Sequence, residues 1–329
     1  MIPALGACSM LLAAAFLPAQ QPAGSISVSG RVLRGGRDTV PLPNVTVVLH
    51  RMTSTNAGPL DSVRSDARGR YRLALRHPDS ASTYVISIWY DSIAYFSTPL
   101  NAVGRPGGAV VHVDDIVAFR ASPTGPPLRL TRRLATIAAP TKDGTREILE
   151  ILELENPGQT TRVTADTLIP TWAGRVPEHT GEYRAGEGDI SPDAIRFRND
   201  SVLIYAPIPP GPTKQLSYDY SLAAGTRSFV LPIDQPTAEV NLLVEDTAAI
   251  VSAPKLESLG LKELEGRRFA AYRAAPLAVG DRVEIQLPAG RFRADALLKP
   301  LIVVVALVMI GALIWALLRR RPATNVNDQ

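Results

Sequence analysis

The chain of 329 residues has one cysteine, Cys8, which lies in the apolar segment at its amino terminus. Disulfide bonds within the remaining sequence are therefore excluded, and its stability has to come from packed cores. Cysteine is equally absent as a metal ligand, and none of the four histidines lies at metal-ligand spacing from another. We predict neither a metal site nor a cofactor. The histidines are interpreted as surface or strand-end residues: His50, His77, His112 and His179.

Motifs that carry chemistry are missing as well. The sequence has no G-x-S-x-G nucleophile motif, no G-x-x-x-x-G-K-[ST] phosphate loop and no D-x-[DN]-x-[DN]-G calcium loop. Its acidic groupings, Asp114-Asp115 and the pair Asp61 and Asp66, are typical of turns and strand ends. We therefore predict no catalytic residue, and a protein that is not an enzyme.

A strong excess of one charge is absent from the body of the chain. The formal net charge is +4, and the arginines that follow Leu318, offset by Asp328, contribute +2 of it. The rest of the chain is nearly neutral and therefore lacks the excess positive charge that binds a nucleic-acid phosphate backbone. Nucleic acid is therefore not an expected partner.

Long apolar runs occur only at the two ends of the chain. Near the amino terminus, the run MLLAAAFL followed by the small residue Ala19 is typical of a secretory signal, predicted over residues 1–19, although no lysine or arginine precedes it. Near the carboxyl terminus, residues 301–318 carry no charge and would span ~27 Å as a helix at ~1.5 Å per residue. This length predicts a transmembrane helix, with a buried core helix as the alternative.

The charges beside the second run predict its orientation. Arg319, Arg320 and Arg321 follow it directly, and arginine clusters of this kind stay in the cytoplasm. The secretory signal would export the rest of the chain. We therefore predict a single-pass protein of a bacterial cytoplasmic membrane, with its domains outside the cytoplasm and residues 319–329 inside it.

Between these ends the sequence alternates with a period of two, which is typical of strands that bury one face. The first four alternating sets are Ile26, Val28, Val32; Val45, Val47, Leu49; Tyr71, Leu73, Leu75; and Tyr84, Ile86, Ile88, Tyr90. The last strand of this group is predicted at Val111, Val113 and Ile116. Turn residues return about every ten positions. The predicted fold class is all-β, with two tandem β-sandwich domains over residues 25–119 and 128–290, a linker over 120–127 and one carboxyl-terminal transmembrane α-helix.

The amino-terminal third resembles a known family. The segments PLPNVTV (41–47) and SDARGRYRL (65–73), followed by Tyr84-Val85-Ile86, are similar to the carboxypeptidase regulatory-like family. The resemblance implies a prealbumin-like β-sandwich, grouped with carbohydrate-binding-like folds, that is an appendage to enzymes and carries no catalytic residue. The insert at 51–60 and the Trp89-Tyr90-Asp91 sequence depart from the family pattern.

The second region is similar only loosely to bacterial immunoglobulin-like envelope domains. Its segment REILEILELE (146–155) has helix propensity, but the following Asn-Pro-Gly favours a short strand. Ile195 and Phe197 are expected to pair with the strand that follows Arg198-Asn199-Asp200. The arginines near its start are interpreted as one solvated strand edge: Arg129, Arg132 and Arg133.

Three aromatic residues are the candidate ligand or partner contacts, namely Trp89, Tyr90 and Trp172. Exposed aromatic rings stack on sugars or on partner proteins. Because neighbouring strand residues face opposite ways, Trp89 and Tyr90 cannot both point into the core. Core or inter-domain packing is the alternative role for all three.

The absence of a reactive cluster favours a non-catalytic binding or scaffolding protein that engages an envelope protein, a peptide or a glycan. An accessory subunit of a membrane complex, of the cytochrome biogenesis or transport type, is the alternative, and its helix would then pack against other helices. A hydrolase with a cryptic site is the remote third hypothesis.

Overall fold

The computed structural model describes residues 24–288 except Val103, Thr167 and His179. The predicted signal at 1–19, the helix at 301–318 and the tail at 319–329 lie outside the described residues. Within the described range, no helix is long and apolar enough to cross a membrane. The described chain is all-β, as the alternation predicts.

Nine strands build the first part of the fold. They are β1 (Ser25–Arg34), β2 (Val40–Pro41), β3 (Thr46–Met52), β4 (Ala57–Arg64), β5 (Arg70–Arg76), β6 (Thr83–Tyr90), β7 (Ile93–Phe96), β8 (Val110–His112) and β9 (Ile116–Ala118). One sheet joins β2, β1 and β5, with β8 and β9 paired to β1, and the other has the order β4-β3-β6-β7. Apolar residues from both sheets form one buried core, so the two sheets make a sandwich.

The predicted alternation holds through this first core. Ile26, Val28 and Val32 are fully buried, as are the inward residues of β3 and β6. The expectation of one last strand was wrong, because the segment forms two short strands, β8 and β9, that both pair in parallel with β1. Asp114 and Asp115 lie between them. The insert at 51–60 forms the end of a hairpin, in which residues 53–56 connect β3 and β4.

Fifteen strands and one short 3-10 turn build the second part. They are β10 (Ala121–Ser122), β11 (Arg129–Ile137), β12 (Arg146–Glu155), β13 (Thr161–Arg162), β14 (Trp172–Arg175), β15 (Thr180–Ala185), the 3-10 turn (Pro192–Ala194), β16 (Ile195–Phe197), β17 (Ser201–Ile204), β18 (Lys214–Leu222), β19 (Ser228–Pro232), β20 (Thr237–Val244), β21 (Ile250–Ser252), β22 (Leu256–Leu264), β23 (Arg267–Ala274) and β24 (Arg282–Gln286).

A seven-stranded sheet of order β15-β18-β12-β11-β20-β23-β22 forms one layer of the second core. Two three-stranded sheets, β14-β17-β16 and β19-β24-β21, contribute to the same core and form the opposite layer. The segment 146–155 is a strand, as predicted. The hairpin of β16 and β17 also has the expected pairing, with Phe197 opposite Val202.

The two cores touch each other. In the predicted linker, β10 pairs in parallel with β13, and Ala121 and Val163 pack against the first core. The Tyr95 hydroxyl donates to the Phe119 carbonyl at 2.8 Å and lies 2.7 Å from Thr161 Oγ1. The domain boundaries drawn from the sequence stay a prediction.

Candidate binding surfaces and a buried charge cluster

The first candidate surface lies on the hairpin of β6 and β7. Asp91 and Ser92 connect the two strands and both have positive φ, 49° and 63°. A two-residue turn with positive φ at both positions matches the right-handed twist of the strands it joins. The turn therefore sets the register, in which Tyr90 lies opposite Ile93 and Trp89 opposite Ala94.

This register places two aromatic rings on the outer face of the sheet. Trp89 is 67% exposed and Phe96 is 63% exposed. Phe96 is diagonal to Trp89 across the strand pair, a spacing that aromatic side chains can bridge. His50 and Ser87 share a 2.7 Å hydrogen bond on the same face. We call Trp89 and Phe96, with their polar neighbours His50 and Ser87, the aromatic face.

The three aromatic residues chosen from the sequence are not brought together. Tyr90 faces inward and packs, half-buried, against the first core. Trp172 belongs to the second core, is only 7% exposed, and donates its indole N–H to Gln235 Oε1 at 2.8 Å. A ligand could not stack on the Trp172 ring without displacing this packing, so the structure leaves Trp89 alone of the three on an open surface.

Phe96 was not chosen from the sequence, although a signal was present. After the turn at Asp91 and Ser92, Ile93 and Tyr95 are the inward residues of β7, so Ala94 and Phe96 must face outward. Phe96 falls on the same side as Trp89 once the two-residue turn is recognised.

The hairpin that carries the aromatic face is tied to the second part of the fold. Asp91 Oδ2 accepts a hydrogen bond from the Ala121 backbone N–H at 2.7 Å. Burial raises the pKa of the Tyr95 hydroxyl, which donates to the Phe119 carbonyl across the same contact. Hydrogen bonds therefore attach the hairpin to the second part of the fold.

A buried charge cluster lies inside the second core. Arg133 is 2% exposed, and its Nε and Nη2 donate to Glu150 at 2.6 Å and 3.0 Å. Glu150 is fully buried and also accepts hydrogen bonds from the hydroxyls of Tyr218 at 3.1 Å and Tyr220 at 2.7 Å. The interpretation of Arg133 as part of a solvated edge was wrong, because β11 is an interior strand and this side chain points into the core. Arg129 and Arg132 are exposed, as expected.

The cluster shifts the pKa of its members. Burial, and then the charge of Glu150, raises the pKa of the Tyr218 and Tyr220 hydroxyls well above the ordinary value of 10. Burial opposes the charge on Arg133, but the Glu150 carboxylate outweighs it and the pKa of Arg133 is raised. Four protein donors fill the acceptor capacity of the Glu150 carboxylate, which favours a structural role over a catalytic one.

Arg133 also joins the two small sheets of the opposite layer. The edge strands β14 and β19 are not paired with each other. Just beyond the end of β14, the Val176 N–H donates to Asp200 O. Neighbouring residues of an antiparallel strand direct their backbone groups to opposite sides, so the N–H and C=O of Arg175 point away from β17. Arg133 Nη2 donates to Arg175 O at 3.4 Å, and its Nη1 donates to Pro232 O on β19 at 2.7 Å. One guanidinium thus bridges both edges.

Side chains complete this contact between β14 and β19, which we call the seam. Arg175 N–H donates to Asp234 Oδ2 at 2.9 Å. A cleft of about 850 Å³ opens beside the seam, lined by apolar residues such as Phe229 and Val279 and by charged residues such as Glu178 and Arg282. Over the part of the chain that the structure describes, no three histidine, cysteine or acidic side chains group as a metal site.

The comparisons with known proteins give limited information. No family model matches the chain, and no curated protein matches it. The resemblance of residues 25–119 to the carboxypeptidase regulatory-like family therefore stays a prediction.

The solved structures that are similar in part to this chain include three pilus proteins. The chain is 11% identical to the major pilin subunit BcpA of Bacillus cereus, with 79% of this chain and 87% of that chain covered and a TM-score of 0.20. It is 9% identical to the major pilin SpaA of Corynebacterium diphtheriae, with 79% of this chain and 84% of that chain covered and a TM-score of 0.21. It is 10% identical to the RrgB pilus protein of Streptococcus pneumoniae, with 80% of this chain covered and a TM-score of 0.18. Only 62% of the RrgB chain is covered, so this chain spans less than two thirds of that protein. TM-scores this low do not establish a shared fold.

Proposed function

We propose that this chain is a membrane-anchored, non-catalytic binding protein of the bacterial envelope that contacts an envelope protein, a peptide or a glycan through the aromatic face. The observation that carries the proposal is the exposure of Trp89 and Phe96 side by side on a rigid strand pair. Large aromatic rings dominate the binding energy of interfaces, so two exposed rings within reach of each other are suitable anchors for a partner.

The sequence supports the placement of this face outside the cytoplasm. The export signal predicted at 1–19 and the anchor predicted at 301–318 would hold residues 24–288 at the outer surface of the membrane. An all-β chain without a cysteine after residue 8 suits that compartment, since its folding needs no oxidant.

The test compares paired alanine variants in cells that express the full chain with a carboxyl-terminal affinity tag. After cross-linking of intact cells with an impermeant reagent, the tagged chain is purified in detergent and its stoichiometric partners are counted. We expect Trp89→Ala with Phe96→Ala to remove the partner, since each lost hot-spot ring costs about 2 kcal/mol or more. Leu261→Ala with Leu264→Ala, at exposed positions of β22, should leave it bound.

Other outcomes identify the competing functions. A partner that survives both pairs but disappears when residues 301–318 are replaced by an unrelated transmembrane helix indicates an accessory subunit. A glycan array probed with the full chain tests the sugar partner, and there too only the Trp89 and Phe96 pair should reduce the signal. Equal loss with both pairs would contradict a specific role for the aromatic face.

A further inference from the structure

A second concentration of functional groups lies at one end of the first sandwich, away from the aromatic face. There a cleft of about 570 Å³ is lined by residues of β1, β5, β8 and the end of β4. Its charged lining consists of four arginines and two aspartates, a net charge of +2: Arg31, Arg64, Arg70, Arg72, Asp66 and Asp115. We call this feature the arginine cleft.

Strand pairing concentrates positive charge on one wall of the arginine cleft. Arg31 on β1 lies directly opposite Arg70 on β5, and Arg72 follows two residues later on the same face of β5. Side chains directly opposite each other are about 5 Å apart at Cβ, and like charges in such pairs are unfavourable. Because Arg31 is paired with Asp115, the positive charge that a bound anion could compensate is that of Arg70 and Arg72.

The aspartates neutralise this wall only in part. Asp115 is committed to Arg31, with Nε to Oδ1 at 3.1 Å and Nη2 to Oδ2 at 2.5 Å. Asp66 Oδ1 is used by the turn before β5, where it accepts the backbone N–H groups of Arg68 and Arg70 at 2.8 Å each. Neither carboxylate lies within ion-pair distance of the Arg70 or Arg72 guanidinium in the described part of the chain.

Three guanidinium groups therefore remain without an acidic partner among the described residues. Arg64 is held in place by Asn44, whose backbone and side-chain oxygens accept its Nη1 at 3.0 Å and 3.1 Å. Arg70 and Arg72 extend from an exposed face with their hydrogen-bond donors unused by protein groups. Guanidinium groups bind oxyanions through paired, charge-assisted hydrogen bonds.

The neutral residues of the cleft lining include Tyr71, Ser29 and His112. Tyr71 alternates with Arg70 and Arg72, so its 4% exposed side chain points to the opposite face of β5 and belongs to the first core, where its hydroxyl has no hydrogen-bond partner in the described structure. Burial, and then the charge of Asp115, raises the pKa of this hydroxyl, so it is a protonated donor. Ser29 and His112 share a 3.1 Å hydrogen bond on the adjoining wall.

We propose that the arginine cleft is a binding site for a doubly charged oxyanion of the phosphate or sulfate type, free or at the end of a larger molecule. Arg70 and Arg72 hold the anion, and Arg64 approaches it from the β4 side. Asp115 limits the affinity by competing for Arg31. This site is independent of the aromatic face and does not rest on the function proposed above.

The test titrates the full chain, in a nonionic detergent, with inorganic phosphate and separately with glycerol 3-phosphate. Ionic strength is held constant with sodium chloride, and calorimetry reports the heat of binding. We expect saturable binding that Arg70→Gln with Arg72→Gln weakens about tenfold or more, since each charge-assisted hydrogen bond is strong enough for that loss. Arg51→Gln with Arg76→Gln removes the same charge outside the cleft and should change the affinity less than about twofold.

A second pair of variants predicts a change of opposite sign. Asp115→Asn should tighten binding about threefold or more because Arg31 is released toward the anion, whereas Asp143→Asn, on an exposed turn of the second part, should not. Binding of both probes supports recognition of the terminal oxyanion, and binding of glycerol 3-phosphate alone supports a site for esters. No saturable heat with either probe, or equal weakening by both arginine pairs, would overturn the proposal.

Discussion

At the scale of single residues, the Arg133–Glu150 pair decides how the second core is held together. Removing one member of a buried ion pair leaves the other charge without compensation, at a cost of about 3–5 kcal/mol. We expect Glu150→Gln to lower the free energy of unfolding by that amount in urea titrations. The matched control is Glu153→Gln, three residues along the same strand, whose partner Arg132 is mostly exposed. It should cost less than about 1 kcal/mol.

A companion variant separates loss of the pair from loss of one charge. Arg133→Met with Glu150→Leu replaces both groups by apolar ones of similar size, and such replacements of buried pairs are often neutral or stabilising. Tyr218 and Tyr220 would lose their acceptor, so the double variant is expected between the wild type and Glu150→Gln. A Glu150→Gln variant as stable as Glu153→Gln would contradict the role given to the cluster.

The two buried tyrosines also predict how stability depends on alkaline pH. Their hydroxyl pKa values are raised in the folded state, so above pH ~10 the unfolded chain releases protons that the folded chain retains. Stability is therefore fully present below pH ~10 and falls as the pH rises further, by about 1.4 kcal/mol per pH unit for each tyrosine.

Urea midpoints measured between pH ~9 and ~11 check this slope. Tyr218→Phe with Tyr220→Phe should reduce it, leaving the part contributed by Tyr71 and Tyr95, whose pKa values are also raised by burial. An unchanged slope in the double variant would place the alkaline titration elsewhere.

At the scale of elements, the turn between β4 and β5 depends on Gly69. Its φ is +72°, and a Cβ at this position would lie 2.3 Å from the Val32 carbonyl oxygen. Gly266, in the turn between β22 and β23, has φ +73° but open space around its Cα. Gly266→Ala should therefore lose only the ~1–2 kcal/mol of the left-handed conformation. Gly69→Ala should lose clearly more, because β1 or the turn must also shift.

Thermal unfolding of the two glycine variants measures this difference. Equal losses would show that the Val32 carbonyl moves aside without cost. The comparison isolates steric contact from backbone strain, since the two φ values differ by one degree.

The same scale shows what the sequence could predict. Alternation identified most core strands because each buries one face. The Asn-Pro-Gly sequence after residue 155 correctly indicated that β12 is a short strand and not a helix. It failed at Arg133 for a physical reason. A bulge between Leu130 and Arg132 shifts the register of β11 by one residue, which turns Arg133 toward the core and Arg132 toward solvent. Only the unusual inward position of Glu150, between Ile148 and Leu152, signalled a buried charge.

Other features depended on contacts between distant segments. The split of the last predicted strand into β8 and β9 follows from their separate pairing with β1, which no local pattern records. The arginine cleft likewise arises from cross-strand register, because Arg31 and Arg70 are far apart in the sequence and opposite in the sheet. The aromatic face was half predicted, through Trp89 but not Phe96.

At the scale of the whole molecule, the predicted topology can be tested directly. Protease added to spheroplasts that express the chain with a carboxyl-terminal tag should digest the bulk of the polypeptide and leave the tag attached to a short protected fragment. The physical reason is the arginine cluster after residue 318, which opposes export of the tail. Loss of the tag with survival of the bulk would show the inverted orientation, and disrupted cells provide the control for protease access.

The seam in the second sandwich has a mechanical consequence. Strands joined by a backbone ladder resist separation through many parallel bonds, whereas β14 and β19 are held together by a few side chains centred on one guanidinium. If the chain is pulled between its membrane anchor and a bound partner, we expect this layer to separate first at the seam, while both small sheets stay intact. Separation of the two small sheets would expose the edges of β14 and β19, so a stretched molecule would present strand edges that are covered in the relaxed one.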